Sequence, residues 1–305
     1  MPNSIFMVVS VSLACWMQLY VEQNNLEQLE GVTKTAIDGV HFYRSSKGNQ
    51  RHPFVYQSGV IVLGQGTKNI YLGNEPVRYG PDDYLVVGVP MPLECEAIAE
   101  NGQPLLGLSI DIDTYVLHRL VNQLQSQADY PICDNHGACS GLKSVAMDND
   151  MLDVCQRLMK ALCHPIEASI LGTNLMEELT LRALMSKEGH VLFELARHEG
   201  HYARVAKALE YLHQNYTQTV TVQDLAQSAN MSISAFHNAF RSVTSASPIQ
   251  YIKKVRLNKA RELIQLEGLK VGDAARLVGY NSTSQFSREF KRHFNATPTE
   301  NNWSS

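Results

Sequence analysis

The first 33 residues contain no lysine or arginine, so the cationic start of a secretory signal peptide is missing. The apolar run from Ile5 to Val21 is broken by Ser10, Ser12 and Gln18. It falls short of the roughly 20 apolar residues that span a bilayer. Ser12-Leu13-Ala14-Cys15 faintly resembles a lipoprotein cleavage site, but export and membrane insertion are not expected. Residues 1–38 read instead as a disordered segment, or as the product of a start codon placed too early, with Met17 the initiator. Cysteine is sparse, with six in 305 residues and none beyond Cys163. That is no disulfide framework, and it points to free thiols in the cytoplasm. Clustered histidines are also missing. His41 and His52 stand apart in the strand-rich region and no His-x-His pair occurs there, so a metal-dependent barrel enzyme lacks its ligands. Glu94 and Glu96 share a strand face without such partners. Cys133, His136, Cys139 and the Cys163-His164 pair do not have the usual zinc spacing. No metal and no cofactor is expected.

Net charge is low as well, at −4, and the average conceals an asymmetry. Residues 1–200 hold 13 Lys and Arg against 23 Asp and Glu, whereas residues 201–305 hold 13 against 7. A basic C-terminal third on an acidic body points to a polyanionic partner for that third alone. A length of 305 residues suits two domains.

From Gly39 to Asp111 the pattern is short strands punctuated by turns. Phe54-Tyr56, Val60-Leu63, Asn69-Leu72, Pro76-Tyr79, Tyr84-Val89, Leu93-Ile98 and Leu105-Ile110 are strands of a small barrel or jelly roll. The turn Gly73-Asn74-Glu75 marks a hairpin. The period then becomes helical, over Thr114–Gln127, Asp148–Cys163 and Leu171–Met185. These helices carry more apolar surface than capping a barrel requires, so they either form a homodimer contact or pack on the barrel.

From His201 onward everything reads as helix, and two blocks repeat. Asp224 and Asp273 are 49 residues apart, whereas Phe236/Phe286, Phe240/Phe290 and Pro248/Pro298 are 50 apart. This is a doubled helix-turn-helix unit with one residue added in the second turn. Ser232 and Ser282 are placed as N-caps of the second helices. If each Phe pair packs inward, Ser234, His237, Asn238 and Arg241 face outward in the first unit. Thr283, Gln285, Arg288, Lys291 and Arg292 do so in the second. Such side chains suit base edges and phosphates, although a solvated polar face is the bland alternative.

Ser247-Pro248-Ile249-Gln250-Tyr251, Arg256-Leu257-Asn258-Lys259-Ala260-Arg261 and the run from Gly279 to Arg292, closed by Phe294-Asn295-Ala296-Thr297-Pro298, strongly resemble the AraC/XylS family of bacterial transcription regulators. Tyr43-Arg44-Ser45-Ser46, Val62-Leu63-Gly64-Gln65-Gly66 and Tyr84-Leu85-Val86-Val87 more loosely resemble its aldehyde-responsive YqhC-like branch. The resemblance implies an α+β protein of two domains: a cupin-like β-barrel with helices, and an all-α domain with two helix-turn-helix units. It divides the chain into a sensor barrel at 39–128, a helical dimerisation or linker region at 129–198 and a DNA-binding domain at 199–305. By position, Ser234, His237 and Asn238 would face bases in one major groove of promoter DNA, and Thr283, Ser284, Gln285 and Arg288 in the next. A helix from Pro248 to Leu266 would join the units. Ala274-Ala275, Gln285 and the residues after Pro298 depart from the family pattern. The implied protein is a cytoplasmic homodimeric regulator, usually an activator that recruits RNA polymerase. It would take a small effector in the barrel, with Tyr43, Arg44, Tyr56, Gln65 and Cys95 as pocket candidates. A cupin-type enzyme with a DNA-binding tail is the alternative from another class. A DNA-repair protein would need a metal-thiolate acceptor cysteine, which the scattered cysteines do not offer.

Overall fold

The structure, a computed structural model, describes residues 12–72, 75–127, 141–196, 200–218, 220–265 and 267–300. The Gly73-Asn74 turn and the Cys133, His136 and Cys139 cluster lie outside the described residues, as does Leu266 at the end of the connecting helix.

The expectation of disorder over residues 1–38 is corrected from residue 12 onward, where the described residues begin. Helix α1 spans Leu13–Gln23, capped by the Ser12 hydroxyl, which accepts from the Cys15 N–H at 3.2 Å. Leu13, Met17, Tyr20 and Val21 are buried on one side of it, and α1 packs on strands of the barrel and on a central helix. The segment without lysine or arginine is thus a structured helix with one core-facing side, and Glu22 stands on its exposed side.

Among the described residues ten strands follow: β1 (Gly31–Lys34), β2 (Val40–Ser45), β3 (Gly48–Tyr56), β4 (Gly59–Gln65), β5 (Thr67–Leu72), β6 (Glu75–Tyr79), β7 (Asp83–Val87), β8 (Met91–Ile98), β9 (Leu105–Asp111) and, after a helix, β10 (Leu142–Ala146). They form two antiparallel sheets, β1-β2-β9-β4-β7-β10 and β3-β8-β5-β6. Alternation explains the core: Leu93, Cys95 and Ala97 are buried on one face of β8, while Glu94 and Glu96 take the other. Those two acids are occupied on that outer face, Glu94 by Arg51 at 2.5 Å and Glu96 by Asn69 at 2.9 Å.

Helices α2 (Thr114–Gln125), α3 (Asn149–Leu162) and α4 (Pro165–Met185) cover the barrel. Asp113 and Asp148 cap the first two, accepting backbone N–H bonds at 2.7 and 2.8 Å. Pro165 starts the third at a position where its missing N–H costs nothing. A short α5 (His190–Ala196) leads to the helical C-terminal part: α6 (His201–Asn215), α7 (Val222–Ser228), α8 (Ile233–Thr244), α9 (Pro248–Gln265), α10 (Val271–Leu277) and α11 (Thr283–Phe294). The architecture is therefore a strand-rich N-terminal domain with helices, joined to a helical domain. No helix among the described residues is long and apolar enough to cross a membrane.

Several contacts tie the halves together, among them a backbone bond from the Gly141 N–H to the Val243 carbonyl at 2.9 Å and the approach of α11 to β3. Helix α9 lies against β3 and β8, and its Tyr251 hydroxyl donates to the Pro90 carbonyl of the barrel. Gly88 packs so tightly against Tyr202 that a Cβ would collide with the phenol. The apolar core runs without a break from the barrel through α8. The second helix-turn-helix unit has a separate core of Leu257, Ala260, Leu263, Ala274, Ala275, Val278, Tyr280, Phe286 and Phe290.

Candidate nucleic-acid interface and effector cavity

The repeat read from the sequence is a repeat of geometry. Ser232 accepts from the Ala235 N–H and Ser282 from the Gln285 N–H, both at 3.3 Å. The Phe236/Phe240 and Phe286/Phe290 ring centroids are each 5.3 Å apart, with interplanar angles of 52° and 53°. The turns use left-handed residues at matching places, Asn230 at φ 50° and Gly279 at φ 86°; Ser245 and Asn295, at 56° and 58°, end α8 and α11. With four phenylalanines buried, Ser234, Asn238 and Arg241 of α8 are exposed, and His237 is half-buried. Thr283, Ser284, Gln285, Arg288, Lys291 and Arg292 of α11 are exposed.

The outward faces differ in what they leave available. Glu289 of α11 accepts from Lys253 at 2.9 Å, from the Tyr280 hydroxyl at 2.9 Å and from the Gln285 amide at 3.2 Å. Burial alone would raise its carboxyl, but these bonds outweigh it and hold the group below the ordinary carboxylate range. Gln285 is thus engaged within its own helix. Arg241, Arg288 and Lys291 form no ion pair among the described residues.

A second match appears in the structure. Arg204, Lys207, Ala208 and Glu210 of α6 stand 52 residues before Arg256, Lys259, Ala260 and Glu262 of α9. Each helix braces the unit that follows it: Arg204 donates to the Asn230 carbonyl at 3.5 Å, and the Arg256 side chain lies against Gly279. Between these residues Val205 is exchanged for the equally apolar Leu257, and apolar character is lost at two places. Ala206 and the buried Leu209 are replaced by Asn258 and Arg261.

Those two substitutions face a cavity of about 770 Å³ between the barrel and α9. Tyr43, Phe54, Tyr56, Ile61, Leu63 and Leu108 give it an apolar, aromatic wall. Lys68 of β5 lies on the same wall, 6% exposed, with its Nζ 3.6 Å from the centre of the Tyr43 ring. It has no carboxylate in ion-pair range among the described residues. Burial pushes its amine below the ordinary value, opposed by the nearby Cys95. Arg261 is likewise lowered by burial, and the Asn258 Oδ1 is buried without a partner among the described residues. Of the cavity's acids, Glu262 is paired with Lys259 at 2.7 Å. Burial raises the carboxyl of Asp111, with His41 acting against the shift.

Of the five pocket candidates, Tyr43 and Tyr56 line this cavity. Arg44 does not. Its Nη1 donates to the Leu29 carbonyl at 2.9 Å and lies 3.6 Å from Glu30, so its charge is answered by a carboxylate from the segment before β1. Gln65 donates to the Pro104 carbonyl at 2.6 Å and accepts from Gln18 of α1, away from the cavity. Cys95 is buried behind the wall, 3.8 Å from the His52 Nε2, and burial raises its thiol. Lys68 was readable in advance: it shares the inward face of β5 with the buried Ile70, where a lysine is unusual.

Comparison with known proteins agrees with this architecture. A family profile for the AraC-type transcriptional regulator N-terminus covers residues 36–191, and a helix-turn-helix domain profile covers residues 225–301. The lactose operon transcription activator of Staphylococcus xylosus is 29% identical over 96 residues, 32% of this chain and 34% of that protein. RclR of Escherichia coli K12, an RCS-specific transcriptional activator, is 40% identical over 80 residues, 26% of this chain and 28% of its own. The chain thus spans about a third of the length of these curated relatives. ToxT of Vibrio cholerae, solved with an unsaturated fatty acid bound, superposes with a TM-score of 0.56 over 85% of this chain and 92% of its own, at 12% identity. That likeness extends the shared fold across both domains. With the N-terminal profile covering just over half its length, the chain belongs to the AraC-type transcriptional regulator family.

Proposed function

We propose that this protein is a sequence-specific transcription regulator that grips promoter DNA with α8 and α11 and responds to a small molecule held between the barrel and α9. The observation that carries the reading is the doubled unit itself, two recognition helices with matched caps and matched aromatic packing. Helix α9, of 18 residues, is about 27 Å long at 1.5 Å per residue, close to the spacing of successive major grooves. Ser232 and Ser282 set the helix starts. Ser234, His237, Asn238 and Arg241 would meet one groove, and Thr283, Ser284, Gln285, Arg288, Lys291 and Arg292 the next.

The effector site differs from the one expected. Tyr43 and Tyr56 remain in it, joined by Lys68, Asn258 and Arg261. The buried Lys68 and the half-buried Arg261, both on the lining of one aromatic cavity, suit an apolar molecule with an anionic head. The fatty acid in the ToxT structure is of that chemistry. A homodimer through the central helices is supported by the exposed Ile166 and Ile170 of α4 and Tyr115 of α2. Activation through RNA polymerase, a cytoplasmic location, kinship with the YqhC-like branch and the domain limits 39–128, 129–198 and 199–305 complete the reading.

The test is binding of the chain to a duplex from upstream of its coding sequence, against a scrambled duplex. Equal affinity would defeat the claim of specific regulation. The effector half is tested by thermal shift with straight-chain monocarboxylates and their methyl esters. The acids should raise the melting temperature, the esters should not, and Lys68→Met should abolish the difference.

A further inference from the structure

The two recognition helices are copies, and copies can be compared position by position. Residues of α8 correspond to residues of α11 at a constant separation of 50. The correspondence is structural as well, because cap, Phe pair and left-handed end coincide in both. Whatever base position one residue reaches in the first groove, its counterpart reaches in the second.

Along the exposed stripe, Ser234 corresponds to Ser284 and Arg241 to Lys291, so those pairs are chemically alike. Asn238 and Arg288 are not. Each sits six residues beyond its cap, in the second turn of its helix, exposed and without a hydrogen-bond partner among the described residues. The remaining amide on the second face, Gln285, is held by Glu289, and its counterpart Ala235 has no polar atom to offer. Ile233/Thr283, His237/Ser287 and Ser242/Arg292 differ as well, but Asn238/Arg288 is the differing pair in which both side chains are exposed and each can pair two-pronged with a base edge.

An asparagine amide donates and accepts across about the width of the N6/N7 edge of adenine. A guanidinium donates twice and matches O6/N7 of guanine. We infer that the two units read different bases at equivalent positions: Asn238 an adenine, and Arg288 a guanine about one helical turn, 10 to 11 base pairs, away. The inference rests on the reading that α8 and α11 enter successive major grooves. It adds which bases the site must contain, how far apart they stand and which side chain demands each. The operator is thus asymmetric although the protein segment is a repeat.

The experiment selects duplexes with the full chain from a random-sequence pool, then measures competition by every single-base variant of the selected site. The proteins are the natural chain, Asn238→Ala, Arg288→Ala and Asn238→Arg, each checked for folding by circular dichroism. The natural chain should discriminate at an A·T pair and at a G·C pair one turn apart, by between about 5-fold and about 150-fold at each. Asn238→Ala should flatten discrimination at the A·T pair alone, and Arg288→Ala at the G·C pair alone. Asn238→Arg should turn the adenine preference toward guanine. A selected site at which these variants leave discrimination unchanged, or weaken all sequences equally, would overturn the inference while leaving DNA reading intact. A chain that retains no duplex from the pool would overturn both.

Discussion

Replacing Tyr251 by phenylalanine tests how firmly the DNA-reading half is fastened to the barrel. The Tyr251 ring is fully buried, 5.3 Å edge-on from Phe240 and 6.1 Å from the His213 ring. Those apolar contacts survive the change. The hydroxyl does not, and it serves two partners: it donates to the Pro90 carbonyl and lies 3.1 Å from the His213 Nε2. A single hydroxyl proton given to Pro90 requires His213 to donate in turn. The variant therefore strands one carbonyl and one ring N–H. Each buried unpaired group costs about 1–3 kcal/mol, and part of that is recovered by local relaxation. The expected loss is about 2–4 kcal/mol for the full chain, read as a fall in urea midpoint at unchanged slope. A loss below about 0.5 kcal/mol would refute the reasoning, because water would then be serving both groups and the contact would not hold the halves together.

Acid should loosen the same interface. Burial depresses His213 to about 4, and His293 of α11 also falls to about 4, with burial the largest cause and Lys254 next. Both groups bind protons in the unfolded chain near pH 6.5 but not in the folded one. Stability they permit is therefore complete above about pH 6.5 and falls as pH drops toward 4. Melting temperature against pH should show that decline, flattened in His213→Gln, His293→Gln; an unchanged slope would count against buried neutral rings. Inserting about five base pairs between the half-sites should abolish tight binding by turning the second groove to the far face, and footprinting with a spacer series would show it. Unaltered affinity would mean that one unit reads alone. Cys95 and Cys155, both raised by burial, should alkylate far more slowly at pH 8 than the exposed Cys15. Peptide-resolved mass spectrometry gives the order, and equal rates would contradict the buried placement.

Strand positions in the barrel were legible because alternation and turn residues are local signals, and the second helix-turn-helix unit was legible because it repeats the first. What escaped notice depended on distant neighbours. Helix α1 looks like a disordered segment or a misplaced start from its own sequence, since nothing in it announces that β4, β9 and α3 will pack against it. Strand β10, which pairs with β7, and the short α5 gave no separate signal. A buried guanidinium seeks an anion, which from sequence alone points Arg44 at the pocket. Glu30 supplies that anion instead. Arg261 needed a comparison of α6 with α9, where a buried Leu209 marks what an ordinary repeat would have placed there.

The division of the core has a kinetic consequence. The first reading unit shares its apolar interior with the barrel, whereas the second is packed on nine buried residues of its own. Units with separate cores open separately, so amides of α10 and α11 should exchange with solvent through a local event that leaves those of α8 protected. The molecule then resembles a pair of callipers with one jaw built into its frame and the other hinged at α9, resting on β3 through α11. Asn258 lies 3.5 Å from the His293 ring and Arg261 sits over the Phe294 ring, both of α11, so a ligand at either residue would bear on the second jaw through its direct neighbours.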